Sequence, residues 1–171
     1  MKKLLLALAV MFSMGTVMAQ SKVAHVNTQK LYDTLPSRID AMNKLKEFEA
    51  NGVKELQEMY DDYTASTTKY QKDRPNMSPT LIKFEEEKLM KKEQGIQDRQ
   101  TSLGQELEIY NQELNNPIIE RVKKAVEIVA DRKKLNYVIE ENVTIYCKGG
   151  IDITAEVIVE LLRLDAEAMK K

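Results

Sequence analysis

Apolar residues recur at intervals of seven through the middle of the chain. Between residues 80 and 112 the repeated positions are Ile82, Leu89, Ile96, Leu103 and Tyr110. Between residues 37 and 72 two weaker series run side by side: Ile39, Lys46, Val53, Tyr60 and Thr67, and Met42, Glu49, Leu56, Tyr63 and Tyr70. A seven-residue repeat is typical of helices that pack along a narrow seam, and so narrow a stripe cannot enclose a globular core. We therefore predict two long coiled-coil helices over residues 37–116.

A short segment of turn-forming residues separates the two predicted helices. Residues 73–79 include Pro75, Asn76, Ser78 and Pro79, a composition that ends one helix and begins another. Ser78 is suited to cap the second helix, with Pro79 at its first position. The pattern predicts an antiparallel helical hairpin, here called the arm, with its tip near residues 74–79. Helices of about 38 residues would make the arm ~57 Å long at 1.5 Å per residue.

The two ends of the chain have a different pattern. Residues 22–26, 136–140 and 143–147 are rich in β-branched and aromatic residues, so we predict three short strands there. Pro117 begins a stretch with a broader apolar face, which indicates that this end of the second long helix is buried. The predicted fold class is α+β and mostly α, with a small body of strands attached to the long coiled-coil arm.

The predicted body is small for a chain with so long an arm. Residues 20–36 and 117–171 form it, about 70 residues in all, which is marginal for an independent core. Its strand edges would also be unpaired, which favours pairing with another chain. We therefore expect a homo-oligomer. The expected oligomerisation contacts are the apolar residues of the strands and of the last helix: Val23, Val26, Val138, Ile139, Ile145, Ile151, Val157 and Leu161.

The first 19 residues have the pattern of a secretory signal peptide. Lys2 and Lys3 precede an unbroken apolar run over residues 4–12, and Val17 and Ala19 supply the small residues of a cleavage site. The run is far shorter than the ~20 residues that a membrane-spanning helix needs. We therefore expect export with cleavage after Ala19, which in a bacterium leads to the periplasm.

Composition excludes several classes of protein. The chain has 171 residues, with 26 Lys and Arg, 27 Asp and Glu, one His and one Cys. One Cys forms no disulfide framework, one His does not supply the usual zinc sets, and a near-neutral charge gives no case for nucleic-acid binding. We find no nucleophile–base pair, metal set or phosphate-binding loop, so we expect neither an enzyme nor a cofactor. Cys147 and His25 are interpreted as packed residues of the predicted strands.

Several segments, taken in order, resemble a known family. The leader, residues 22–27, the long polar hairpin, residues 136–140 and residues 152–157 are similar to those of the Skp (OmpH) family of periplasmic chaperones of outer-membrane proteins. The resemblance implies a trimer, in which three hairpins project from a central body and enclose a cavity. Unfolded outer-membrane proteins would be held in that cavity without ATP.

One property departs from this family, whose well-known members are basic. Acidic side chains outnumber basic ones over residues 40–116, and loss of the leader removes Lys2 and Lys3. Electrostatic contact with acidic clients, with membrane or with lipopolysaccharide is therefore expected only at the tip. The basic tip patch consists of Lys69, Lys72, Arg74 and Lys83.

A holdase chaperone binds many unfolded client proteins loosely, and non-directional apolar contact suits this task. Met adapts its shape and Tyr tolerates water, so both suit promiscuous contact. The expected client-binding residues flank the seam: Met59, Tyr60, Tyr63, Tyr70, Met77, Leu81 and Phe84. Met77 and Leu81, near the tip, are expected to be exposed. The alternative is that these residues hold the hairpin together, above all Tyr60 and Tyr63 within the seam.

Two further alternatives stay open from the sequence. Gly52 is predicted to lie at the height of Gly104, where the pair either makes both helices flexible or permits their close approach. The alternative function is an exported structural or adaptor coiled coil with one fixed partner. That function predicts continuous apolar seams, and the polar seam residues count against it: Lys46, Glu49, Glu86, Glu93 and Gln100.

Overall fold

The computed structural model describes residues 22–146 and 149–170. The predicted leader and Cys147 lie outside these residues. In chain order the elements are β1 (Val23–Val26), α1 (Thr28–Asp33), α2 (Pro36–Asp73), a 3-10 turn (Arg74–Asn76), α3 (Pro79–Lys133), β2 (Tyr137–Glu140), a second 3-10 turn (Glu141–Val143), β3 (Ile151–Asp152) and α4 (Thr154–Ala168). Long helices with one small sheet confirm the α+β, mostly α fold class.

Helices α2 and α3 form the arm. The Tyr70 hydroxyl lies 2.5 Å from a carboxylate oxygen of Glu86 near the tip, and the Phe48 and Tyr110 ring centroids are 5.1 Å apart nearer the body. Later residues of α2 therefore meet earlier residues of α3, as in an antiparallel hairpin. Ser78 caps α3 by accepting a hydrogen bond from the Leu81 N–H at 3.3 Å.

The seam of α3 is the predicted one, whereas half of the α2 seam was predicted wrongly. Ile96 and Leu103 are buried and the rest of their series is half-buried. On α2 one predicted series is exposed at Ile39, Lys46, Val53 and Tyr60, and only its last member, Thr67, is half-buried. The series one residue earlier, Leu45, Gly52, Met59 and Ser66, is buried or half-buried, and its last three members lie against Leu103, Gly95 and Lys92 of α3. Gly and Ser at seam positions let the helices approach closely, but they conceal the apolar pattern.

The body contains a three-stranded parallel sheet in the order β2-β1-β3. The third strand is Ile151–Asp152, so the strand predicted over residues 143–147 is wrong in the described part of that segment. Instead, the Thr144 hydroxyl donates to the Glu141 carbonyl at 2.7 Å and closes a turn. Ile145, just beyond this turn, is fully exposed.

The core lies between the sheet, the body end of α3, and α4. Ile118, Val122, Ala125 and Val129 recur every three or four residues along α3, so they form one buried face. Helix α3 runs through Pro117 without interruption. The same core includes Val26, Val157 and Leu161, which are at most 4% exposed. This corrects the expectation that these three residues contact another copy, because each is enclosed by its own chain.

Ion pairs tie α4 to the end of α3. Arg132 and Glu160 approach to 2.9 Å, and Lys133 and Glu156 to 2.6 Å. Hydrogen bonds from Arg163 and Arg132 hold the pKa of Glu160 below its ordinary value. The hydrogen bond from Lys133 likewise lowers the pKa of Glu156. Both carboxylates are thus favoured in the charged form that fixes α4 in place.

Candidate functional site

Polar contacts hold much of the arm together. Arg99 of α3 lies 2.9 Å from Glu55 of α2 and 3.1 Å from Glu106, and these hydrogen bonds raise the pKa of Arg99. Lys92 of α3 pairs with Asp62 and donates to the Ser66 hydroxyl at 2.8 Å. Because ion pairs occupy part of the seam, the two helices bury few of their own apolar side chains.

Three of the predicted client-binding residues are exposed on the arm. Tyr60, Leu81 and Phe84 have 46%, 43% and 56% of their surface exposed. The Phe84 ring also lies 5.4 Å from the Lys88 ammonium. These residues are free to contact another molecule. For Tyr60 the structure excludes the alternative that its side chain lies within the seam and holds the hairpin together.

The other four predicted client-binding residues are half-buried: Met59, Tyr63, Tyr70 and Met77. Met59 lines a pocket beside Gly95 and Ile96. The Tyr70 hydroxyl donates to Glu86 and accepts from Arg74 at 2.9 Å, and its bond to Glu86 raises the pKa of Tyr70. Met59 and Tyr70 thus contact other residues of the hairpin. The expectation that Met77 is exposed is wrong, because Met77 is half-buried.

Sequence reasoning missed five exposed apolar residues of the arm: Ile39, Met42, Val53, Met90 and Ile109. The first three belong to series that were assigned to the seam. A shift of the α2 seam by one residue would have identified Ile39 and Val53 as exposed. With Tyr60, Leu81 and Phe84, the arm exposes eight large apolar side chains among the described residues.

The basic tip patch is exposed as predicted. Lys69, Lys72, Arg74 and Lys83 all lie at the surface, and Arg74 donates its Nε proton to Tyr70. A role for this patch in binding stays a prediction.

The body exposes a second apolar surface around its sheet. Of the predicted oligomerisation residues, Ile139, Ile145 and Ile151 are exposed, and Val23 and Val138 are half-buried. Tyr137, Val143 and Tyr146 add exposed apolar area that the prediction omitted. Strands β2 and β3 are the edges of the sheet in the described part of the chain, so their outer backbone groups have no strand neighbour there.

Gly52 and Gly104 have different surroundings. Gly52 is buried, and a Cβ atom built on it would overlap the Leu103 methyl groups and lie 3.1 Å from Leu103 Cγ. Gly104 is exposed, and a Cβ built on it meets no atom within 4 Å apart from its chain neighbours and the backbone of its own helix. Both helices are continuous through these positions. The structure therefore favours the close-approach alternative at Gly52.

Substituting each glycine by Ala is expected to change stability in opposite directions. Gly52→Ala should lower the free energy of unfolding by about 1–3 kcal/mol, because overpacking displaces Leu103. Gly104→Ala should raise it by about 1 kcal/mol, because Ala has the higher helix propensity and meets no neighbour. Urea unfolding followed by circular dichroism measures both. Equal stabilisation by the two changes would contradict tight packing at Gly52.

None of the helices in residues 22–146 and 149–170 is long and apolar enough to cross a membrane. Within the same ranges, no three His, Cys, Asp or Glu side chains are placed to hold a metal ion.

Comparisons with known proteins all find similarity to OmpH-like proteins or to the chaperone Skp. A family model described as outer membrane protein (OmpH-like) matches residues 22–161. The chaperone protein Skp of Photorhabdus luminescens is 30% identical over 165 residues, covering 94% of this chain and 99% of that protein. Skp of Escherichia coli strain K12 is 26% identical with the same coverage. The crystal structure of a putative OmpH-like outer membrane chaperone from Caulobacter crescentus superposes with a TM-score of 0.74 at 14% identity, covering 87% of this chain and 86% of that one.

Proposed function

Because the chain belongs to the OmpH-like family of non-enzymatic chaperones, we propose that it is an ATP-independent holdase of the periplasm. In this proposal it binds unfolded outer-membrane proteins and prevents their aggregation. The observation that carries the proposal is the set of eight large apolar side chains exposed on the arm.

The distribution of these side chains suits loose binding of many clients. They are spread along both helices rather than gathered in one patch, from Ile39 near the body to Phe84 near the tip. Contact with apolar client side chains would contribute roughly 25 cal/mol per Å² buried, without directional requirements. Small separate patches limit self-association of the arms, since large contiguous ones cause it.

The proposal includes a homo-oligomer, and the resemblance to Skp favours a trimer. Its support is the apolar surface of the body around Tyr137, Ile139 and Ile151, next to sheet edges that have no neighbouring strand within residues 22–146 and 149–170. Such edges pair readily with another chain. An assembly through this surface would place several arms around one space, where an unfolded client contacts more than one arm.

Size exclusion coupled to light scattering tests both parts of the proposal. Without client, we expect the mass of three copies. With a urea-unfolded β-barrel protein added by dilution, we expect one soluble complex of chaperone and client. The test is repeated with several unrelated β-barrels, since a structural or adaptor protein would retain only one partner or none. A single-copy mass together with client aggregation at the uninhibited rate would overturn the proposal.

A further inference from the structure

The last turns of α4 reach the root of the arm. Asp165, on these turns, is 1% exposed and contacts both arm helices. Its Oδ2 accepts a hydrogen bond from the Ser37 backbone N–H of α2 at 3.2 Å, and its Oδ1 lies 3.1 Å from Arg121 Nε of α3. Arg121 in turn donates from Nη2 to the Ser37 hydroxyl at 3.1 Å. Three helices thus meet at one buried carboxylate.

The start of α2 lacks a cap of its own, which explains what Asp165 supplies. Leu35 precedes the helix and makes no side-chain capping bond, so the first N–H groups need acceptors from elsewhere. Asp165 accepts from one of them, and its negative charge faces the positive end of the α2 dipole. On the other side its contact with Arg121 is a charge contact rather than an aligned hydrogen bond, since neither Nε nor Oδ1 has a hydrogen-bond partner among the described residues.

Asp165 lies near the end of α4, four residues after the match to the OmpH-like model ends at residue 161. Residues 162–168 extend the helix along the arm root, where Leu164 packs against the core.

We propose that Asp165 is a positioning residue that fixes the angle at which the arm leaves the body. The inference rests on the proposed holdase function for its significance, because arm angle would set the size of the space that clients occupy. Because the arm is long, a small rotation at its root displaces its tip by a large distance. For an arm ~57 Å long, a rotation of about 5° at the root moves the tip by ~5 Å.

Distance measurements between the tip and the body test the proposal. Spin labels are placed at Asn76→Cys in the tip turn and at Val159→Cys on the exposed face of α4, in a full chain carrying Cys147→Ser. Labelled chains are diluted with unlabelled ones, so that only distances within one chain are measured. In the otherwise native chain we expect one narrow distance distribution. Asp165→Asn, which keeps an acceptor oxygen but removes the charge, should broaden it about twofold, and Arg121→Met should broaden it similarly.

A matched control lies two residues further along α4. Glu167 is exposed and pairs with Arg163 of its own helix, so Glu167→Gln should leave the distance distribution unchanged. Unchanged distributions in folded Asp165→Asn and Arg121→Met, or equal broadening by Glu167→Gln, would overturn the proposal. Broadening without any suppression of client aggregation by the native protein would instead overturn the holdase function and leave the positioning role in place.

Discussion

Replacing Tyr60, Leu81 and Phe84 together by Gln is expected to weaken suppression of client aggregation by about tenfold or more. Each side chain is roughly half exposed, and its burial against a client would contribute about 1 kcal/mol. Three such losses exceed the 1.4 kcal/mol that corresponds to a tenfold change in affinity. The measurement is the chaperone concentration that halves light scattering from a diluted, urea-unfolded β-barrel.

The matched control changes charge rather than apolar area at the same end of the arm. Lys69, Lys72 and Lys83 are exposed, and their triple replacement by Gln should change the same concentration less than about twofold at physiological salt, where exposed charges are screened. Gln favours helix in both variants, so circular dichroism should show equal helix content. If the Lys variant loses more activity than the apolar variant, client recognition depends on charge and the apolar mechanism is contradicted.

Leu161→Ala is expected to destabilise the body by about 2–5 kcal/mol. Leu161 is fully buried in the core, and a cavity there removes a large part of the 5–15 kcal/mol by which domains are typically stable. Thermal unfolding followed by circular dichroism at 222 nm measures the loss.

The neighbouring residue is the control for this prediction. Leu162 is 38% exposed, so Leu162→Ala should change stability by less than about 0.5 kcal/mol. A Leu161→Ala protein as stable as the Leu162→Ala protein, but with an altered number of copies, would return Leu161 to the role of an oligomer contact that the sequence suggested.

The two arm helices show which sequence signals carry structural information. The α3 seam is built from Ile, Leu and Tyr, so its period of seven is visible in the sequence. The α2 seam includes Gly52 and Ser66, and part of its attachment to α3 is ionic, through Glu55 and Asp62. Small and charged residues at an interface resemble solvent-exposed positions, so the apolar pattern placed one of the two α2 seam series one residue too late.

Structural features that depend on contacts with residues far away along the chain could not be predicted from the sequence pattern. Residues 143–147 have β-rich composition, but a strand also needs a neighbouring edge, and β1 pairs with β2 and β3 instead. An Asp near the end of a helix, such as Asp165, would ordinarily be predicted to be exposed to solvent. Its burial depends on Ser37 and Arg121, which precede it by many residues. The exposed apolar surface of the arm was predicted only in part. Leu81 and Phe84 lie outside the heptad series and were recognised, whereas Met90 and Ile109, which also lie outside it, were missed.

The pairing of β1 with β2 has a consequence for the order in which the chain folds. These strands are parallel neighbours although residues 27–136 lie between them, and closing so long a loop costs conformational entropy before any contact is gained. Contacts at the tip of the hairpin join residues that are close in sequence. The hairpin can therefore form from its tip toward its root, and each new contact closes only a short additional loop. Once formed, the hairpin holds Ser37 and Arg121 together, so the chain between β1 and β2 is already brought back to the body. We therefore expect the slender arm to fold first and to act as the template on which the body closes.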